Sequence, residues 1–263
     1  MRPISLFLAG LLLVTGCGGP TPPANETPAA SLPDSFPTDP NRAIFQLFPK
    51  GGFMPPIYHT AQAPTFTLLA DGRLITLDRE ADGTTRRLFV SQVPKEKLPS
   101  LYADLQKAME GVEGHYEAGT WTDDATTEFR FWTPNGTQAG DVYGFNPEPQ
   151  EYENRLAGVD QLRTARRLIA EAVGEERTPY VARSVRLVVE RWETPSDWKV
   201  ADWPAEFPAL PEPEQEGGIA EQTIAGEAAQ AIIQQVPYEG RTLYKSGEGY
   251  YYVFAIPAVP LIR

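Results

Sequence analysis

Residues 65–77 read TFTLLADGRLITL, in which Asp71-Gly72 separates two short apolar segments. Apolar and polar side chains alternate before the turn, at Phe66 and Leu68, with the period of a strand that has one buried face. Asp-Gly favours the positive φ angles of a tight hairpin turn. The stretch therefore predicts two antiparallel strands joined at residues 71–72.

Three further turn sequences lie beside apolar segments: Asp82-Gly83, Asn135-Gly136 and the Ser-Gly-Glu-Gly turn of residues 246–249. The strand predicted after the last turn places Tyr250 and Tyr252 on one face and Tyr251 on the other. Aromatic residues on both faces favour a central strand, or a strand with one packed face and one exposed platform.

Two segments carry apolar side chains at the spacing of a helix face. The first is expected to begin near Pro99 and to end at Gly111, because proline fits the first turn and glycine fits the end. The second has an apolar stripe from Tyr152 to Val173. Three arginines fall largely outside this stripe and are expected to be solvent-exposed: Arg163, Arg166 and Arg167.

The order of the predicted elements indicates the fold class. A strand over residues 181–192 follows the second helix, then a proline-rich and acidic loop over 193–218 and a shorter helix over 226–235. The hairpins argue against regular strand–helix alternation and a parallel sheet. We expect an α+β fold, an antiparallel sheet of hairpins packed by two or three helices. It occupies residues 41–263, as one domain or as two subdomains, 41–176 and 177–263.

The N-terminus carries a separate signal. Arg2 precedes an apolar run that is too short to span a bilayer, which needs about 20 residues, but that fits a secretory signal peptide. The run ends in Val14-Thr15-Gly16-Cys17, and Cys17 is the only cysteine. This sequence resembles the lipobox of bacterial lipoproteins, although Leu is more usual at the position of Val14. The resemblance implies that residues 1–16 are removed and that Cys17 carries acyl chains such as palmitate.

An acylated Cys17 would hold the protein at a membrane of the cell envelope, outside the cytosol, because two or more chains anchor stably. In Gram-negative lipoproteins an Asp after the cysteine tends to retain the protein at the inner membrane. This chain has Gly18 at that position, which is compatible with the outer membrane. Residues 18–40 contain seven prolines in 23 positions and almost no large apolar side chains. We therefore expect residues 17–40 to be a disordered tether that reaches about 70 Å at most.

The charge of the chain limits its partners. Removal of residues 1–16 takes away Arg2 alone and leaves 22 Lys and Arg against 35 Asp and Glu, a net charge of −13. A nucleic-acid-binding protein would carry the opposite sign. An anionic lipid surface would repel the acidic body, so we expect the acyl chains on Cys17 to make the membrane contact.

Signals for catalysis or cofactor binding are weak. His59 and His115 have no partners at metal-ligand spacing, and no Gly-x-Ser-x-Gly motif is present. We expect neither a metal nor a cofactor. Asp123 and Asp124 could bind Ca²⁺ or serve as the carboxylates of a hydrolase. We favour the alternative, a turn in which their side chains bind nearby backbone N–H groups.

Trp192, Trp198 and Trp203 are the candidate ligand-binding residues, because they fall within twelve residues of one another, beside Pro195 and Pro204. Exposed indole rings could stack on sugar rings or contact a peptide. The alternative, which we favour, is that they pack over the open edge of the core.

The segment from Gly51-Gly-Phe-Met-Pro-Pro56 to Asp71-Gly72 resembles bacterial lipoproteins with no assigned activity, and this resemblance bears on the fold alone. The leading hypothesis is a lipid-anchored extracytoplasmic protein, not an enzyme, that binds a protein, a peptide or an envelope glycan. The alternatives are a carboxylate-dependent cell-envelope hydrolase and a purely structural envelope component.

Overall fold

The computed structural model describes residues 31–263, apart from residues 82, 84, 120–122, 149–153, 155, 194–197, 216, 241 and 263. The strands are β1 (Ala43–Lys50), β2 (Phe66–Leu69), β3 (Arg73–Arg79), β4 (Arg86–Gln92), β5 (Gly114–Glu117), β6 (Thr126–Thr133), β7 (Gly136–Tyr143), β8 (Thr178–Pro179), β9 (Ser184–Trp192), β10 (Lys199–Asp202), β11 (Ile219–Ala225), β12 (Thr242–Ser246) and β13 (Gly249–Pro257). The helices are α1 (Pro56–Thr60), α2 (Leu98–Ala108), α3 (Ala157–Ala172) and α4 (Glu227–Gln235).

The strands form two mostly antiparallel sheets, which confirms the α+β class. The first sheet has the order β5-β7-β6-β1-β2-β3-β4-β8, and the second has the order β10-β12-β13-β9-β11. The hairpin predicted at residues 71–72 is confirmed: Leu68 pairs with Leu74 across the turn, and Gly72 has φ +86°. Two pairs are parallel, β5 with β7 and β10 with β12.

Helices α2 and α3 cover one face of the first sheet. Leu101 and Leu105 of α2 and Leu162 of α3 belong to a core shared with Phe45 and Phe129 of the sheet. Because α3 begins at Ala157, it is shorter than the stripe in the sequence, and Tyr152 lies outside the described residues.

The expectation that the arginines of α3 are solvent-exposed is wrong for Arg163, which is buried. Its side chain donates hydrogen bonds to the Asn146 carbonyl and to Asp160. Arg166 is partly buried and only Arg167 is exposed. The long aliphatic stems of arginine pack on the core, so the apolar stripe alone understates the buried face of this helix.

The second sheet is covered by α4 on one face. Val185, Leu187 and Val189 of β9 point to this face, as their alternation predicts. The central position of β13, between β12 and β9, agrees with the tyrosines on its two faces. Tyr251 packs on the α4 side and Tyr252 on the opposite side, where α1 also packs.

Several contacts join the regions before and after residue 177. Strand β8 pairs with β4 of the first sheet, and Arg86 of β4 forms a backbone bridge with Glu239. The C-terminal segment after β13 also returns to the first sheet, where Gln46 binds the Pro260 carbonyl and Ile262 is buried. The two sheets are therefore interlocked by their connections.

Residues before 41 contribute to the packed body. Phe36 lies edge-on against Tyr102 and Trp132, with ring centroids 5.1 and 5.6 Å apart, and Leu32 packs on the same core. Packing therefore begins earlier in the chain than the expected end of the tether at residue 40. Cys17 and the rest of residues 1–30 lie outside the described residues.

Candidate functional site: an aromatic surface on the second sheet

Two of the three candidate tryptophans meet on the face of the second sheet opposite α4. Trp192 ends β9 and Trp198 directly precedes β10, and their ring centroids are 5.2 Å apart with the planes tilted by 34°. Trp198 also lies edge-on against Tyr252, at 4.9 Å. Both indoles are partly exposed. Their inner edges therefore pack on the sheet while part of each ring remains available to solvent.

Trp203 is not part of this pair. It is 9% exposed and packs edge-on against Phe207 and Tyr244 on the α4 side of the sheet. Its indole N–H donates to the Pro208 carbonyl at 2.9 Å. Trp198 and Trp203 flank β10 five positions apart, and an odd spacing places side chains on opposite faces of a strand. The three tryptophans thus do not form a single platform.

The strand register adds Tyr250, which the sequence already placed on a possible exposed face, and two residues that the sequence did not single out, Lys245 and Glu190. Tyr250 of β13 lies opposite Trp192, and Lys245 of β12 lies opposite Tyr250. Directly opposite residues project from the same face of a sheet. Glu190 shares this face and accepts a hydrogen bond from the Trp192 indole N–H at 3.2 Å. We call Trp192, Trp198, Tyr250, Glu190 and Lys245 the aromatic surface.

The floor beside this surface is built by tyrosines. The hydroxyl groups of Tyr58, on α1, and Tyr252 are 3.3 Å apart. Burial, followed by the hydrogen bond to Tyr58, raises the pKa of Tyr252. Tyr252 therefore stays neutral and acts as a packed support beneath Trp198.

The composition of the aromatic surface suits stacking combined with polar contacts. Partly exposed indole and phenol rings offer flat apolar faces, and Tyr and Trp combine an apolar body with a polar tip. Glu190 can accept hydrogen bonds at one side and the exposed Lys245 can donate them at the other. Sugar rings, which have apolar C–H faces and hydroxyl edges, match this combination.

The structure places Asp123 and Asp124 far along the chain from this surface, before β6 of the first sheet. Asp123 is exposed in a turn, and the Asp124 backbone N–H donates to the Tyr143 hydroxyl at 3.2 Å. The Asp124 carboxylate sits against Gly119 and Gly144, where a Cβ atom on either glycine would overlap it. The preceding residues, 120–122, lie outside the described residues.

The two histidines lie on different elements. His59 is exposed on α1. His115 of β5 has Nδ1 3.1 Å from Asp141 and Nε2 3.7 Å from Glu117. The hydrogen bond to Asp141 is the main cause that raises the pKa of His115. In the part of the chain that the structure describes, no group of three or more His, Cys, Asp and Glu side chains could hold a metal ion.

Comparisons with protein-family models, with curated proteins and with solved structures return no match to this chain. No helix among the described residues has the length and apolar character needed to cross a membrane.

Proposed function

We propose that the protein is a lipoprotein of the bacterial cell envelope that binds an envelope glycan through the aromatic surface. The acyl chains on Cys17 hold it at a membrane outside the cytosol, which is the outer membrane if the cell is Gram-negative. Binding rather than catalysis is the activity. The observation that carries this proposal is the pair of tilted, partly exposed indoles of Trp192 and Trp198 beside Glu190 and Lys245.

The partial exposure of these rings supports a ligand site over a purely structural role. A tryptophan that serves the core alone can be enclosed, as Trp203 is. Trp192 and Trp198 instead are partly exposed neighbours, with the Glu190 carboxylate beside Trp192. Flat apolar surfaces flanked by polar groups mark interaction sites. A glycan fits the aromatic surface better than an apolar peptide does, because the hydroxyl groups of a glycan can form hydrogen bonds with Glu190 and Lys245.

The binding experiment uses the full chain in detergent and polysaccharides isolated from bacterial envelopes, including peptidoglycan fragments. We expect saturable binding with a change in tryptophan fluorescence. Trp192→Ala and Trp198→Ala should each weaken affinity by about tenfold or more, since central aromatic contacts contribute about 2 kcal/mol. The control is Phe53→Ala, which removes an 89% exposed ring from outside the aromatic surface and should leave binding unchanged.

Other outcomes assign other functions. Capture of peptides in place of glycans, lost in the same tryptophan variants, would make the surface a peptide site. Hydrolysis of the glycan that disappears in Asp123→Asn or Asp124→Asn would favour the carboxylate-dependent hydrolase. Unchanged glycan affinity in correctly folded tryptophan variants would remove the aromatic surface from the proposal.

The anchor has its own test. Cys17→Ser should release the protein from isolated membranes into the soluble fraction, because the acyl chains are the proposed membrane contact. The wild-type protein should carry a lipid mass on residue 17, measured by mass spectrometry. An unmodified thiol in membrane-bound material would contradict this part of the proposal.

A further inference from the structure

A second concave site lies on the first sheet, on the side covered by α3. This pocket has a volume of about 270 Å³, and its apolar lining includes Leu47, Phe66 and Phe145. The hydroxyl-bearing residues Thr65 and Thr127 also line it. It is formed by the sheet that does not carry the aromatic surface, so the inference that follows is independent of the proposed function.

Arg166 is the unusual member of this pocket. Its guanidinium carbon lies 5.4 Å from the centre of the Phe66 ring. Arg166 forms no hydrogen bond or ion pair with any residue that the structure describes. The arginines on either side of it are paired: Arg163 with Asp160 at 2.8 Å and Arg167 with Glu171 at 3.0 Å. Among the three arginines of α3, the partly buried Arg166 is therefore the one whose guanidinium N–H groups have no partner among the described residues.

The charge of Arg166 is only partly compensated: the Phe66 ring and the carboxylates of Asp78 and Glu148 favour it, but neither carboxylate forms an ion pair with it. Burial lowers the pKa of its guanidinium, which shows that the charged form is partly desolvated. A desolvated charge costs free energy unless an opposite charge pairs with it. Such groups in a concave site are candidates for ligand binding, where the ligand supplies the missing partner.

The charges around the pocket favour a ligand with a single negative charge. Arg86, a second arginine of the lining, is already paired with Glu239 at 3.0 Å. Asp78 also lines the pocket, where it accepts a hydrogen bond from Thr76 and pairs with Arg177. A guanidinium that has no ion-pair partner among the described residues, but whose charge is already favoured by Asp78 and Glu148, matches a monoanion better than a phosphate dianion. Arginine binds a carboxylate through two parallel hydrogen bonds.

We propose that Arg166 binds the carboxylate of a small organic acid in this pocket, with the body of the ligand against Phe66 and Phe145. The volume is near the lower end of the range for small-molecule sites, about 300–1,000 Å³. A neighbouring cleft of about 470 Å³ shares Pro147 and Arg166 with the pocket. The ligand is therefore a free organic acid or the carboxylated end group of a longer chain, such as an acidic sugar.

The test is calorimetric titration of the full chain in detergent with matched pairs of probes at constant ionic strength. Glucuronate is paired with glucose, benzoate with benzamide, and inorganic phosphate serves as the dianion. We expect saturable binding of at least one carboxylate and no binding of its neutral partner. Binding of glucuronate alone identifies an acidic sugar, and binding of benzoate alone identifies an apolar organic acid.

The matched variants assign the binding to Arg166. Arg166→Met should weaken carboxylate affinity by about tenfold or more, as expected for a hydrogen-bonded charge pair. Arg166→Lys, which keeps the charge and loses the fork, should fall between Arg166→Met and wild type. Arg183→Met removes an exposed arginine that does not line the pocket and should leave affinity unchanged. Thermal melts confirm that each variant is folded. If Arg166→Met does not fold, the carboxylate affinity of Arg166→Lys relative to wild type tests the role of Arg166.

Four results would overturn the proposal. The first is no binding of either carboxylate at about 10 mM, where a useful site would be occupied. The second is equal binding of acid and neutral probes. The third is equal carboxylate affinity in wild type and the Arg166 variants. The fourth is tighter binding of phosphate than of both carboxylates. Glycan binding by the aromatic surface is unaffected by each of these results.

Discussion

Two buried tyrosines differ in whether their hydroxyl groups have a partner. Tyr102 of α2 is 1% exposed, and its hydroxyl has no hydrogen-bond partner among the described residues. The hydroxyl of Tyr238 donates to the Ala61 carbonyl at 2.7 Å. Burial raises the pKa of each tyrosine to about 12, so both phenols stay neutral. The two hydroxyl groups therefore differ in hydrogen bonding and not in charge.

The first prediction concerns Tyr102→Phe and Tyr238→Phe. Removing the unpaired hydroxyl of Tyr102 should raise the free energy of unfolding by about 1 kcal/mol, because a buried polar group without a partner costs about 1–3 kcal/mol. Removing the paired hydroxyl of Tyr238 should lower it by about 1 kcal/mol. Urea unfolding of both variants measures the difference. Equal losses of stability would mean that the Tyr102 hydroxyl has a favourable contact.

The second prediction concerns the titration of His115. Its pKa is raised from 6.5, chiefly by the hydrogen bond to Asp141 and less by Glu117. A raised pKa in the folded state stabilises the protein below pH 6.5, and this contribution is lost as the pH rises through the folded pKa. The stability of wild type relative to His115→Gln should therefore be higher below pH 6.5 than above the folded pKa of His115.

Nuclear magnetic resonance titration of the His115 ring provides the direct measurement. Asp141→Asn should lower the pKa of His115 more than Glu117→Gln does, since Asp141 is closer, at 3.1 Å against 3.7 Å. An unchanged titration in Asp141→Asn would show that this pair does not form in solution.

At the scale of elements, strands with local signals could be predicted and strands without them could not. The hairpin of β2 and β3 follows from Asp71-Gly72 and from alternation within 13 residues. Strand β10 lies in a segment expected to be loop, and it pairs in parallel with residues 242–245, about 40 positions later. Four residues between prolines carry no periodicity, so such pairing depends on the assembled sheet.

The same distinction applies to the candidate site. The sequence identified Trp192 and Trp198 as candidates, because three tryptophans within twelve positions are an unusual concentration of indole rings. The sequence could not show that Trp203 lies on the opposite face of the sheet. The odd spacing between Trp198 and Trp203 implies opposite faces only if β10 is known to be an extended strand. Glu190 and Lys245 join the site through the register of three strands, for which the sequence holds no local signal.

The third prediction concerns the C-terminal segment that packs on the first sheet. Ile262 is 1% exposed, and the neighbouring Leu261 is 50% exposed. Ile262→Ala should lower the free energy of unfolding by about 2–5 kcal/mol, as for other buried aliphatic truncations. Leu261→Ala should change it by about 0.5 kcal/mol or less. Chemical denaturation measures the free energy of unfolding of both variants and of wild type.

This pair of substitutions isolates side-chain burial. Both variants keep the backbone contacts of the segment, in which the Ile262 N–H donates to Gln46 and its carbonyl accepts from Arg130. Similar losses in both variants would indicate that the C-terminal segment does not dock through Ile262.

At the scale of the whole molecule, the composition near the N-terminus and the packing of the body give different positions for the start of the folded region. The proline content predicts a tether through residue 40, because few apolar side chains are available to offset the ordering entropy. Phe36 is one of those few, and it packs against Tyr102 and Trp132. Leu32 and Phe36 both pack on the core, and the average composition of the segment does not reveal two such contacts.

The fourth prediction follows from this boundary. No Lys or Arg occurs between Cys17 and Asn41, so trypsin cannot cleave there and proteinase K is the suitable reagent. Brief digestion of membrane-bound protein should release a fragment whose N-terminus, read by mass spectrometry, lies between residues 18 and 32. This fragment should keep the melting temperature of the full chain, whereas Phe36→Ala should melt at a lower temperature because the contacts of its partly buried ring are lost. Two results together would contradict this prediction: first cleavage within residues 33–40 and an unchanged melting temperature for Phe36→Ala. They would show that this segment belongs to the tether and that the folded region begins at residue 41.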